Sequence, residues 1–156
     1  MIKIKYHPPG TAPATLQPGT ENAAKAPVLT LTQYDEHTLL EKEYANLSDL
    51  MVQYDPSKVN WIHIAGLGDV EMLQQLTTHF HIHPLALEDV LNTTQRPKVE
   101  HYDDHYFIVT EMIYPDEKNR VIVEQLSLFL GENFLITIRE ETGRDIAFAF
   151  TLALIA

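Results

Sequence analysis

Pro84 and Pro97 constrain the middle of this chain more tightly than any other feature. Pro84 suits the first position of a helix, where its missing N–H is no loss, and His83 stands just before it. Asn92 and the Thr93-Thr94-Gln95 run supply a stop, and Pro97 forbids continuation. The stretch from His83 to Asn92 is therefore expected to be a short helix, followed by a turn and the first strand of an antiparallel run. At about 100° per residue, Leu87, Val90 and Leu91 share one face, the natural core face. Asp89 then points nearly opposite, with Leu85 beside it, and Glu88 lies on the flank. Two adjacent carboxylates late in a short helix sit near the negative end of its dipole, at a cost of about 0.3–1 kcal/mol each unless a cation compensates. An outward acid beside an outward leucine implies a surface that meets something.

The remaining composition narrows what that something is. The chain has 156 residues, 45% of them hydrophobic and 21% charged, enough for one globular core. It lacks cysteine, so disulfide frameworks, thiolate catalysis and cysteine-type zinc sites are excluded. The net charge is −11, and residues 1–26 carry Lys3, Lys5 and Lys25 against Glu21, so the acidity lies in the rest. Such a body repels nucleic acid and anionic lipid and attracts cations. Lys3 and Lys5 lead into Tyr6-His7-Pro8-Pro9 rather than an apolar run, so no signal peptide is expected.

Taken in order, residues 1–27 form a Pro/Gly/Ala-rich arm. Val28 to Tyr34 and Thr38 to Tyr44 read as a strand hairpin, and Asn46 or Ser48 can cap a brief helix through Leu47, Leu50 and Met51. Asn60 to Ala65 is an apolar strand, after which Asp69 caps a helix with Val70, Leu73, Leu76 (or Thr77) and Phe80 as its stripe. The helix at Pro84 follows. Beyond it lie strands His105 to Ile113, Val121 to Leu130 and Phe134 to Arg139, separated by turns at Pro115–Asn119 and Gly131–Asn133. Tyr106, Ile108, Thr110 and Met112 share one face of the first of these, and Leu126, Leu128 and Leu130 share one face of the second. Helices grouped between strands with a terminal meander predict an α/β sandwich on a mixed sheet. Residues 28–145 are expected to form the folded domain. Residues 146–156 are uncharged and apolar, yet far shorter than the ~20 residues of a membrane span.

Several patterns suggest chemistry. His79, His81 and His83 would present three imidazoles on one face if they lay on a strand, as zinc or another transition metal requires. The helix end at Phe80 and helix start at Pro84 argue against such a strand. His101 and His105 flank Asp103 and Asp104 in what reads as an exposed polar turn. Gly66-Leu67-Gly68 lacks the remaining elements of a nucleotide loop, and Ser48, Ser57 and Ser127 lack a hydrolase context. No catalytic constellation emerges, and a non-enzymatic role is expected.

The block His83–Asn92, the Gln95-Arg96-Pro97-Lys98-Val99-Glu100 turn and the Tyr102-Asp103-Asp104 step together resemble the CorA family of divalent-cation transporters. The similarity is to the soluble N-terminal cytoplasmic domain. It extends back through Trp61-Ile62-His63-Ile64-Ala65-Gly66-Leu67 and forward to Glu124-Gln125-Leu126-Ser127-Leu128, with a weaker echo at Pro8-Pro9-Gly10-Thr11. The resemblance implies an α/β/α sandwich on a mixed, largely antiparallel sheet. It also implies a cytoplasmic part of an inner-membrane, homopentameric channel for magnesium, with cobalt or nickel also carried, and a related zinc-transporting branch. In that family a long helix leads to two membrane spans and a Gly-Met-Asn pore motif, and residues 146–156 stand where that helix would start. By the same resemblance, Glu88 and Asp89 contribute to regulatory Mg2+ sites between neighbouring subunits, with the partner carboxylates on the long helices. The competing readings are a zinc transporter domain using His79, His81 and His83, a stand-alone histidine metal-binding protein or enzyme, and a plain assembly domain.

Overall fold

The computed structural model describes residues 26–115 and 118–140. Residues 1–25 of the expected 1–27 arm and the expected apolar tail at 146–156 lie outside the described residues, as does the end of the expected domain. Seven strands form one sheet: β1 (Val28–Tyr34), β2 (Leu39–Tyr44), β3 (Val59–Ala65), β4 (Lys98–His101), β5 (His105–Pro115), β6 (Val121–Gly131) and β7 (Phe134–Arg139). Their spatial order is β2-β1-β3-β7-β6-β5-β4. Only β3 and β7 run parallel, with Ile62 opposite Ile136 and Ile64 opposite Ile138; the other neighbours are antiparallel. The mixed, largely antiparallel sheet is thus as expected. Between strands lie α1 (Leu47–Gln53), α2 (Val70–His79) and α3 (Pro84–Leu91).

Each helix begins on a residue that satisfies its orphan N–H groups. The Asn46 side chain accepts from the Asp49 N–H at 2.8 Å, and Asp69 Oδ1 accepts from the Met72 N–H at 2.9 Å. The three helices pack on one face of the sheet, burying Leu50, Leu73, Leu76, Leu87 and Val90 against Leu31, Ile62, Ile64, Phe107, Phe129 and Ile136. Strand alternation sends Trp61, His63, Thr137 and Arg139 to the other face. No second helical layer occurs among the described residues.

The face assignments of the two long strands hold, and sheet order adds which face meets the helices. Leu126, Leu128 and Leu130 share the face away from the helices, while Phe129 and Ser127 point into the helix-covered core. In β5 the inward face is that of Phe107 and Val109, and Glu111 and Ile113, of the same parity, are exposed towards the hairpin tip. One local expectation needs correction: His105 is 3% exposed rather than part of an open polar turn. The loop after β3 has a structural role. Gly66 adopts φ 113°, which favours glycine, its N–H donates to the Arg139 carbonyl at 3.0 Å, and Leu67 plugs the core.

Candidate functional site

Helix α3 is set in place from both ends. His83 caps it: Nδ1 accepts from the Leu85 N–H at 3.2 Å, and Pro84 opens the first turn. At the other end the Asn92 N–H donates to the Glu88 carbonyl at 2.9 Å. Ala86, Leu87, Val90 and Leu91 are buried, as the apolar stripe requires, and Leu85 is 51% exposed. Glu88 and Asp89 fall in the last turn, which contains no basic residue of its own.

The cation that the dipole argument demands comes from β4. Lys98 Nζ donates to Asp89 Oδ2 at 2.6 Å and to Glu100 Oε1 at 2.8 Å, and it lies 5.4 Å from the centre of the Phe107 ring. Gln95 Nε2 donates to Asp89 Oδ1 at 2.7 Å. Asp89 is therefore a half-buried, internally compensated acid rather than a bare outward charge. Gln125 ties the same corner to the sheet. Its amide donates to the Asp89 backbone carbonyl at 3.1 Å, while its Oε1 accepts from the Gln95 N–H at 3.3 Å.

These contacts shift protonation. Partial burial pulls Lys98 down, but its hydrogen bonds to Asp89 and Glu100 outweigh that and hold its pKa above the ordinary lysine value. The Lys98 hydrogen bond holds Glu100 below the usual carboxylate range. Burial, then the Glu100 charge, raises Tyr102, whose hydroxyl donates to Glu100 Oε2 at 3.2 Å.

The histidines do not converge. His79 ends α2, His81 turns the chain in the left-handed region at φ 51°, and His83 is occupied as the cap of α3. That turn is why the alternating pattern forms no strand. His83 stacks on Tyr102, with ring centres 6.0 Å apart, and Tyr102 stacks on His105 at 5.1 Å. His105 Nδ1 meets Asp104 Oδ1 at 2.6 Å, a contact that lowers the Asp104 pKa, and His101 packs on Tyr106. Among the described residues no three His, Asp or Glu side chains gather as a metal cluster. What α3 and β4 do bring together is two carboxylates, Asp89 and Glu100, on one ammonium, with Glu88 preceding Asp89 in the same helical turn. Carboxylate oxygen is the ligand type that Mg2+ prefers, an ion that takes one or two carboxylates and keeps several waters.

A family model described as CorA-like Mg2+ transporter protein matches residues 56–149. The chain belongs to this CorA-like family. The cobalt/magnesium transport protein CorA of Thermotoga maritima is 33% identical over 116 residues, which are 74% of this chain and 33% of that protein. The putative metal ion transporter YfjQ of Bacillus subtilis is 35% identical over 102 residues, 65% of this chain and 30% of that protein. The chain thus spans about a third of the length of these two relatives. In fold it matches the soluble domain of CorA from Methanocaldococcus jannaschii, with a TM-score of 0.54 and 20% identity over 81% of this chain and 46% of that one. It also matches the full-length CmaX protein, with a TM-score of 0.59 and 13% identity over 83% of this chain and 39% of that one. Among the described residues no helix is long and apolar enough to cross a membrane. Lys98, Glu100, Gln95 and Gln125 had no assigned role in the sequence, although the first three lie within the turn that carries the CorA resemblance.

Proposed function

We propose that this chain is the cytoplasmic, Mg2+-sensing part of a CorA-type channel, homopentameric when assembled, and that Glu88 and Asp89 supply half of a regulatory site between neighbouring subunits. Magnesium is the regulatory ion, and magnesium, with cobalt or nickel, is the cargo. The role is regulatory rather than enzymatic, and the membrane is reached only through segments beyond this domain. The observation that carries the reading is the last turn of α3, where two carboxylates stand beside an exposed Leu85 in a CorA-like chain. Among the described residues no three such ligands gather as a cage, and a site shared between subunits does not need one chain to supply them all. The scattered histidines give the zinc-transporter and histidine-enzyme readings no comparable support.

The mechanism follows from linkage. An ion bound only when two subunits are docked stabilises the docked state, by about 1.4 kcal/mol per site at ten times its dissociation constant. High internal Mg2+ holds the channel closed, and depletion releases it. The test is limited proteolysis of the assembled channel across a Mg2+ titration. Wild-type protein is expected to gain protection as Mg2+ rises, Asp89→Asn to lose that gain, and the isolated domain to show little of it. Protection that survives in Asp89→Asn contradicts the assignment.

A further inference from the structure

Lys98 is placed to be exchanged. Its ammonium is shared between Asp89 Oδ2 at 2.6 Å and Glu100 Oε1 at 2.8 Å, with the Phe107 ring beneath it. The Lys98 and Asp89 side chains remain 27% and 23% exposed, so solvent reaches the pair. An ammonium that leaves Asp89 is not stranded, because Glu100 and the Phe107 face still hold it. The second Asp89 oxygen is kept oriented by Gln95, whatever occupies the first.

We propose that Lys98 is a built-in competitor at this acidic corner: its ammonium occupies Asp89 when divalent cation is scarce and withdraws onto Glu100 when hydrated Mg2+ takes Asp89. This rests on the reading of Asp89 as half of a metal site. It assigns Lys98 two effects on that site. The ammonium sets the Mg2+ concentration of half-response, because only the fraction of molecules with Asp89 vacated is competent to bind. It also discriminates by charge. A monovalent ion brings no more charge than the ammonium it would displace, whereas a divalent ion brings twice as much.

The experiment measures protease protection of the assembled channel against Mg2+, and separately against K+. Lys98→Met is expected to lower the Mg2+ midpoint on the order of five-fold, the competition from an ion pair of ordinary strength. Lys98→Arg keeps the charge and grips the carboxylate with a bidentate fork, so its midpoint is expected to rise. Lys42→Met makes the same net-charge change on β2, at the opposite edge of the sheet, and is expected to leave the midpoint in place. K+ is expected to protect neither wild type nor Lys42→Met. A Lys98→Met midpoint equal to wild type, or shifted no more than that of Lys42→Met, overturns the proposal. So does a Lys98→Arg midpoint at or below wild type, which also decides the matter should Lys98→Met fail to fold. If Asp89→Asn abolishes protection while the Lys98 variants do nothing, only the competitor is lost. Protection that persists in Asp89→Asn removes the underlying site reading instead.

Discussion

Arg139 and Glu124 pair on the face of the sheet away from the helices, at 3.0 and 2.9 Å, with 1% and 3% of their side chains exposed. Lys98 and Asp89 pair on the helical face at 2.6 Å with 27% and 23% exposed. The chemistry is the same and the surroundings differ. The first pair is bidentate, sealed, and joined by the Tyr114 hydroxyl, which donates to Glu124 at 2.6 Å. Removing one partner there leaves the other charge in a low-dielectric interior. The second pair is a single point contact at the rim, with a second carboxylate ready for the ammonium. A buried pair fixes structure, whereas a rim pair can trade partners, and only the rim pair lies beside the acids of α3.

That contrast can be broken at the buried end first. Arg139→Met is expected to lower unfolding stability in urea by about 3–5 kcal/mol, and adding Glu124→Leu to recover most of the loss. Equal loss in the single and double variants would show that the pair's charge is not what matters there. Gln125→Ala should have the next largest effect, about 1–3 kcal/mol, because Gln125 links the Asp89 carbonyl and the Gln95 N–H to the sheet. Its loss should appear in hydrogen exchange as faster opening of α3. Lys98→Met, without metal, is expected to change stability by less than about 1 kcal/mol. The acid limb sharpens the same point with the smallest effect. Glu100 has a folded pKa below its ordinary value of 4.5, so its stabilising share is complete above that value and disappears as pH falls through the lower one. Melting curves of Glu100→Gln and wild type should therefore converge at the acid end.

Local features of this fold were legible in the sequence. Pro84, Asn92 and Pro97 bounded α3 correctly, Asp69 capped α2, and Leu85 emerged exposed, because caps, prolines and helical periodicity act within a turn or two. The candidate site was only half legible. Glu88 and Asp89 could be placed on their helix, but the Lys98 contact depends on the turn after α3 and on the β4–β5 register, with Lys98 opposite Val109. The same limit explains the leucines of β6. Alternation shows that Leu126, Leu128 and Leu130 share a face, but only sheet order shows that the helices cover the other one. His105 reads as a turn residue because its neighbours Asp103 and Asp104 are polar; its burial comes with stacking on Tyr102 and an edge-on contact with Phe129, contacts a linear reading does not contain.

On the proposed function, the last turn of α3 holds a divalent ion shared between subunits. The most direct measurement is anomalous diffraction from crystals of the assembled channel soaked in Mn2+, a scatterer with the oxygen preference of Mg2+. The account predicts a peak beside Glu88 and Asp89 at each subunit boundary, with Lys98 moved onto Glu100. A peak at His79, His81 or His83, or density beside α3 that holds only the Lys98 ammonium at saturating Mn2+, would contradict it.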